Sequence, residues 1–260
     1  MNRLEKNMIA LLKELKEEYG VFQIKAEFEA EGSNMDEMMR LKDVTTAVEL
    51  PIILKIGGVE AVTDIYHGLQ IGVCGIIAPM AETPFALSKF IKMADTMIAK
   101  DNAEDIEFAF NMETLTTYRN LDEMLTLPNL DTLQGMTIGR VDLTGSMGLS
   151  RAAVDSEEIY EICENAFSKS RAKGLKNGLG GAISGKSRKF ISRLVSQNLL
   201  DKFETRKVVF PGESIKYGEK AILKAIEFEL QWLVSKQRYY SGIKKAEENR
   251  IVMLKKRLAN

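Results

Sequence analysis

Two runs decide how this chain is read: Phe108-Ala109-Phe110-Asn111-Met112-Glu113-Thr114 and Met136-Thr137-Ile138-Gly139-Arg140-Val141-Asp142-Leu143-Thr144-Gly145-Ser146-Met147-Gly148. Each begins as an apolar strand and ends on a carboxylate. A helical segment and a short turn lie between them. A parallel barrel with that spacing sets Glu113 and Asp142 at the same rim, on nearby strands. Two carboxylates converging at a rim outline a divalent-cation site. The other reading of the pair is two solvated loop acids, because most Asp and Glu side chains are exposed.

Working outward, strand and helix patterns alternate on both sides. In Val21–Glu29, Phe22, Ile24, Ala26 and Phe28 share one face, and Gln23, Lys25, Glu27 and Glu29 share the other. In a barrel the apolar face meets the helices and the polar face points inward. Charges there need partners or a function. Leu50–Gly58 follows as a buried strand with Lys55 near its end, then Val73–Met80, closed by Ala81-Glu82-Thr83-Pro84. Toward the C-terminus come Asn177–Gly185 and Arg206–Phe210. Strands are thus expected at 21–29, 51–56, 73–80, 107–113, 132–141, 177–183 and 206–210. That is one short of a closed (β/α)8 barrel, and an open doubly wound sheet is the alternative. In either fold the polar residues at strand C-terminal ends (Lys25, Glu29, Lys55, Glu82, Glu113, Asp142, Ser184) would face the site. A cover helix is expected over 2–19, ended by Gly20. From Glu219 two long helical stretches, 219–240 and 243–258, flank Gly242. The chain therefore divides into a barrel catalytic domain over 1–210 and a C-terminal helical extension over 211–260. The extension, with Ile222, Leu223, Ile226, Leu230 and Leu233 on one face, packs back on the barrel or joins a second copy in a homo-oligomer.

Composition narrows the function classes. The chain has 260 residues, 45% hydrophobic and 28% charged, which suits a large α/β domain with a full core. Lys+Arg 36 against Asp+Glu 37 gives no basic field for nucleic acid and no polybasic tail for a membrane. Cys74 and Cys163 read as small buried hydrophobes. With no apolar leader or spanning run, a reducing cytoplasm is the expected location. His67, mid-helix, reads as structural. Gly57-Gly58 before a helix reads as a tight turn in preference to an anion site. Gly180–Ser187 matches the phosphate-loop pattern letter for letter, but it sits on a strand and carries little weight.

The run from Val73 to Gly148 resembles the HpcH/HpaI aldolase and citrate lyase β-subunit family, a set of (β/α)8 barrels. The resemblance lies in Gly75-Ile-Ile-Ala-Pro-Met80-Ala-Glu-Thr83, Asn111-Met-Glu113-Thr with Asn120-Leu-Asp-Glu-Met beyond, and Ile138-Gly139-Arg-Val-Asp142-Leu-Thr-Gly-Ser-Met-Gly148. It implies that Glu113 and Asp142 bind Mg²⁺ or Mn²⁺, and that the metal holds an α-oxo acid such as pyruvate or oxaloacetate, or a related acyl substrate. Backbone amides near Gly139 would meet the substrate carboxylate, with Arg140 and Glu82 as further substrate-binding candidates. There are two departures. The family's arginine at the third strand end is matched here by Lys55, which keeps the charge and loses the bidentate fork. Its loop histidine is missing from Phe28-Glu29-Ala30-Glu31, so Lys25 or Glu29 is the candidate for moving a proton. The expected activity is a metal-dependent carbon–carbon lyase or aldolase. A metal-free Schiff-base enzyme using Lys25 or Lys55, and a barrel kept only for binding or assembly, are the competing expectations.

Overall fold

A computed structural model describes residues 1–28 and 30–258, with the side chains of Tyr239 and Ile243 outside the description. Eight strands close into one barrel in sequential order: β1 (Gln23–Glu27), β2 (Ile52–Lys55), β3 (Gly75–Ala78), β4 (Glu107–Met112), β5 (Gly135–Gly139), β6 (Lys176–Gly180), β7 (Lys202–Glu204) and β8 (Val208–Pro211). All seven expected strands form. The eighth is β7, a three-residue strand hidden in Asp201-Lys-Phe-Glu-Thr-Arg-Lys207.

Strands β1 to β7 run parallel, but β8 is antiparallel to both β7 and β1. Chain length explains this. Only Thr205, Arg206 and Lys207 separate β7 from β8, and a parallel return needs a crossover of a dozen or more residues. A tight turn results, fastened by Thr205 N–H to the Val208 carbonyl at 3.0 Å and Val208 N–H to Thr205 Oγ1 at 3.2 Å. The turn therefore sits at the C-terminal mouth of the barrel, where the site residues of β1–β7 also end.

The helices are α1 (Arg3–Tyr19), α2 (Met35–Thr46), α3 (Val62–Ile71), α4 (Pro84–Met97), a single turn α5 (Lys100–Ala103), α6 (Leu115–Met124), α7 (Arg140–Ser146), α8 (Glu157–Ala172), α9 (Arg188–Ser196) and α10 (Glu219–Leu258). Local chemistry sets their ends. Asn2 and Asn34 each form a capping box, with Glu5 and Glu37, while Thr83, Thr114 and Ser156 cap with their hydroxyls. Gly20, at φ 73°, closes α1 in the left-handed conformation. Gly57 N–H donates to Asp64 Oδ2 at 2.6 Å, so the Gly57-Gly58 pair is a turn satisfied within the protein.

The C-terminal extension is one 40-residue helix, about 60 Å long at 1.5 Å per residue, and runs through Gly242 without a break. Because β8 descends, the chain leaves the barrel at its foot, and α10 climbs the full height beside α1. Lys224 pairs with Glu14 at 2.7 Å, Arg40 reaches Ser235 at 3.2 Å, and Lys236 pairs with Glu37 at 3.1 Å near the mouth. Ile222, Ala225, Phe228 and Trp232 are buried in the main core, so the first half of α10 belongs to the barrel. No described helix is long and apolar enough to cross a membrane.

Candidate functional site

Inside the barrel, Ile53, Ile77, Ala109 and Val209 form a small apolar plug of their own. The polar face of β1 sits among the other inward residues, as its alternation predicts: Gln23, Lys25 and Glu27 are all buried. Lys25 bonds the Glu204 carboxylate of β7 and lies 3.3 Å from Glu27 Oε1. Burial lowers the proton affinity of Lys25, but the carboxylates of Glu204 and Glu27 more than offset it, so the amine is held protonated. Glycines on β6 make room for this network. A Cβ on Gly180 would come 3.0 Å from Glu204 Oε1, and one on Gly178 2.5 Å from Thr137 Oγ1.

At the rim, Glu113 is 2% exposed. Its Oε1 accepts the Met80 amide at 3.1 Å, and its Oε2 accepts Asn111 Nδ2 at 3.1 Å. The carboxylate lies over Gly139, where a Cβ would stand 2.8 Å from Oε2. Burial raises the Glu113 carboxyl and the nearby Asp142 adds to this, while the Lys55 charge and the two hydrogen bonds pull it down. Lys55 stands within electrostatic reach of both Glu113 and Glu27.

These groups share one cavity of about 670 Å³ at the barrel mouth. Glu113, Asp142, Gly139, Lys55 and Lys25 line it, so five of the residues expected from sequence are brought together. Two others are placed elsewhere. The Arg140 guanidinium is fully buried and bonds the carbonyls of Gly180, Val154 and Gly181, Asp155 Oδ1 at 2.5 Å, and Ser187 Oγ. Every N–H has a protein partner, so this side chain ties β5 to the loop after β6 and is not free for substrate. The same bonds occupy Ser187, the hydroxyl of the phosphate-loop-like run. Glu82 also lies off the cavity wall: its carboxylate accepts Thr114 Oγ1 at 2.6 Å and its carbonyl accepts Asn120 Nδ2 at 2.8 Å. Glu29 lies outside the described residues.

The cavity also takes residues that the sequence reading did not assign to the site. Glu204 and Arg206-Lys207 come from the β7–β8 hairpin, Arg151 follows α7, and Ile226, Glu229, Leu233 and Lys236 come from α10. Lys207 is 2% exposed, bonded to Glu31, with its amine lowered by burial. Strand β7 is only Lys202-Phe203-Glu204, too short an alternation to have signalled Glu204 as a site residue. Buried side-chain atoms without a hydrogen-bond partner include Glu27 Oε2, Asn111 Oδ1, Thr137 Oγ1 and Glu204 Oε2, and all four residues face this cavity. Glu27 Oε2 has the Arg206 guanidinium at 3.4 Å; the other three are available to what enters the cavity.

The donor set at the rim suits a hard cation. Each Glu113 oxygen accepts one hydrogen bond and keeps a further lone pair, and Asp142 supplies a second carboxylate. Among the described residues no three His, Cys, Asp or Glu side chains converge. The protein thus offers one or two carboxylates, the set Mg²⁺ uses when water and substrate complete its shell.

No family model matches the sequence, and no curated protein matches it. Solved structures share its fold. Citrate synthase SbnG superposes with a TM-score of 0.62 at 16% identity, covering 88% of this chain and 89% of that one. An HpcH/HpaI aldolase/citrate lyase family protein from Burkholderia cenocepacia J2315 gives 0.60 at 12% identity, covering 94% and 90%. A citrate lyase from Burkholderia xenovorans LB400 gives 0.60 at 12%, covering 94% and 88%. The chain is a closed eight-stranded α/β barrel that shares its fold with these structures, so the resemblance carried by the motifs extends to the architecture.

Proposed function

We propose that this protein is a divalent-metal-dependent carbon–carbon lyase or aldolase acting on an α-oxo acid, pyruvate- or oxaloacetate-like, or on a related acyl substrate. The observation that carries the reading is the convergence of Glu113, Asp142 and Lys55 on one cavity, with Glu113 seated against Gly139. Glu113 and Asp142 would hold Mg²⁺ or Mn²⁺, which when bound polarises a substrate carbonyl and stabilises negative charge on its oxygen. Lys55 adds a positive charge between Glu27 and Glu113, suited to the same developing oxyanion. The Met80 amide and Asn111 fix the Glu113 carboxylate, so its orientation is set before substrate arrives. Lys25 is a fixed cation that organises Glu204 and Glu27.

That state of Lys25 argues against Lys25 as the nucleophile of the Schiff-base reading, which requires a neutral amine. Calorimetry with Mn²⁺ tests the proposal. Binding in the wild type, lost in Glu113→Gln and Asp142→Asn, is expected; equal affinity in all three would refute it. Borohydride trapping with pyruvate, read by mass spectrometry, should leave the protein unmodified.

A further inference from the structure

The last helix is part of the cavity wall. Ile226, Glu229, Leu233 and Lys236 line it at spacings of three, four and three, which is one face of a helix. Glu229 is the only carboxylate α10 contributes to the described cavity, and it faces the wall formed by Glu27 and the β7–β8 hairpin.

Each of the other cavity carboxylates is paired with a cation or is a candidate metal ligand, although Glu204 Oε2 itself accepts no hydrogen bond. Glu204 is bonded to Lys25, and Glu27 is paired with Lys25 and, at 3.4 Å, with Arg206. Glu31 is bonded to Lys207 and Arg206. Glu113 and Asp142 are the candidate metal ligands. Among the described residues Glu229 accepts no hydrogen bond and makes no ion pair within 4.0 Å, although it is partly buried. A carboxylate on a cavity wall without a protein partner is available to a ligand.

We propose that Glu229 is the acid–base residue of this site, moving a proton to and from the carbon next to the α-oxo acid's carbonyl. This rests on the enolate reading above. In the forward step the Glu229 carboxylate takes the proton, the C–H bond breaks, and its electron pair passes into the enolate. In the reverse step the carboxylic acid returns a proton to carbon. No oxidant or further reactant is needed.

The surroundings suit the role. Burial raises the Glu229 carboxyl, the charges of Arg206 and Lys207 lower it, and Glu31 and Glu27 raise it again, with a net shift upward toward the working range of a general base. Lys236, about two helical turns further along α10, is held by Glu37, and Lys55 lies across the cavity toward Glu113. The assignment also gives the missing loop histidine a replacement from a different part of the chain.

Exchange of the pyruvate methyl protons in deuterium oxide, followed by proton NMR with Mn²⁺-free, Mg²⁺-loaded protein, tests it. Glu229→Gln should slow exchange about 10²–10⁴-fold, the usual range for a lost general base. It should also remove the limb of the pH–rate profile that rises as the carboxyl ionises, and leave Mn²⁺ affinity by calorimetry as in the wild type. Glu229→Asp should retain the limb. Exchange and pH profile unchanged in Glu229→Gln would overturn this assignment alone. A wild type that binds Mg²⁺ and pyruvate without exchanging protons would overturn the enolate reading and the role of Glu229 with it.

Discussion

Gly139→Ala is the sharpest perturbation the site offers. The added methyl would lie 2.8 Å from Glu113 Oε2 and 3.0 Å from Glu113 Cβ. The oxygen could swing away, but doing so breaks the bonds from the Met80 amide and Asn111, each about 1.5–3 kcal/mol for a charged acceptor. Glu113 Cβ cannot swing, because it is fixed to the end of β4. Separating the strand ends by a few tenths of an ångström is the lesser cost, at about 1–3 kcal/mol for overpacking a filled site. The expected result is a fall in Tm of about 2–4 °C per kcal/mol for a chain of this size. Mn²⁺ affinity should fall about 10–100-fold, as when the groups supporting a ligand are disturbed. Gly145→Ala is the control: it lies in α7 with nothing within 4 Å, and alanine there should be neutral or stabilising by up to about 1 kcal/mol. A Gly139→Ala protein with wild-type Tm and wild-type Mn²⁺ affinity would refute the claim that glycine is there to seat Glu113.

Lys25→Met should destabilise by about 3–5 kcal/mol, because it leaves Glu204 and Glu27 buried without their cation; denaturant titration measures this. Arg140→Met should cost a similar amount, about 3–5 kcal/mol by the same titration, through the unpaired Asp155 and the freed carbonyls it now ties together. The Glu27 carboxyl is held below its unfolded value of 4.5: burial opposes this, but the charges of Lys25, Lys55 and Arg206 outweigh it. Its contribution is therefore complete above that value and is lost as pH falls through the folded-state value, so urea midpoints should drop below about pH 4.5 and drop less steeply in Glu27→Gln. Truncation after Ser241 should leave Tm nearly unchanged, since residues 244–258 carry no buried side chain, whereas truncation after Phe210 should prevent folding by removing Phe228, Trp232 and their neighbours, each contributing about 1.5–3 kcal/mol of burial.

Much of the barrel is legible in the sequence because its signals are local. The alternation in Val21–Glu29 fixes which face of β1 is polar, and the runs ending at Glu113 and Asp142 place both carboxylates at one rim. What escapes is set by tertiary context. Three residues, Lys202-Phe203-Glu204, are too few to show a period, so β7 is visible only as the eighth member of a closed ring. The backbone direction of β8 depends on the length of the turn before it. Arg140 sits beside a site glycine in sequence, yet its side chain leaves the cavity because Gly180, Gly181, Val154 and Asp155 surround it with acceptors. Gly242 does not divide α10, because a single glycine costs only about 1 kcal/mol in a helix. Glu229 lies far along the chain from the rim acids, and nothing in a helical pattern says which barrel end that helix will reach.

The reversed eighth strand also bears on how the ring is completed during folding. Ile24 pairs with Val208, 208 − 24 = 184 positions away, which makes the β1–β8 seam the most remote pairing in the barrel. Such contacts form late, after the entropy of a long closing loop has been overcome. The hairpin of β7 and β8, by contrast, is local and can form on a timescale of about 1–10 μs. The final gap is then filled by one ready-made two-stranded piece, docking against β6 on one side and β1 on the other. Native-state hydrogen exchange should accordingly find the amides of β7, β8 and the β1 edge opening together, at a lower free energy than those of β4 and β5; separate opening of β7 and β8 would argue against a single closing unit.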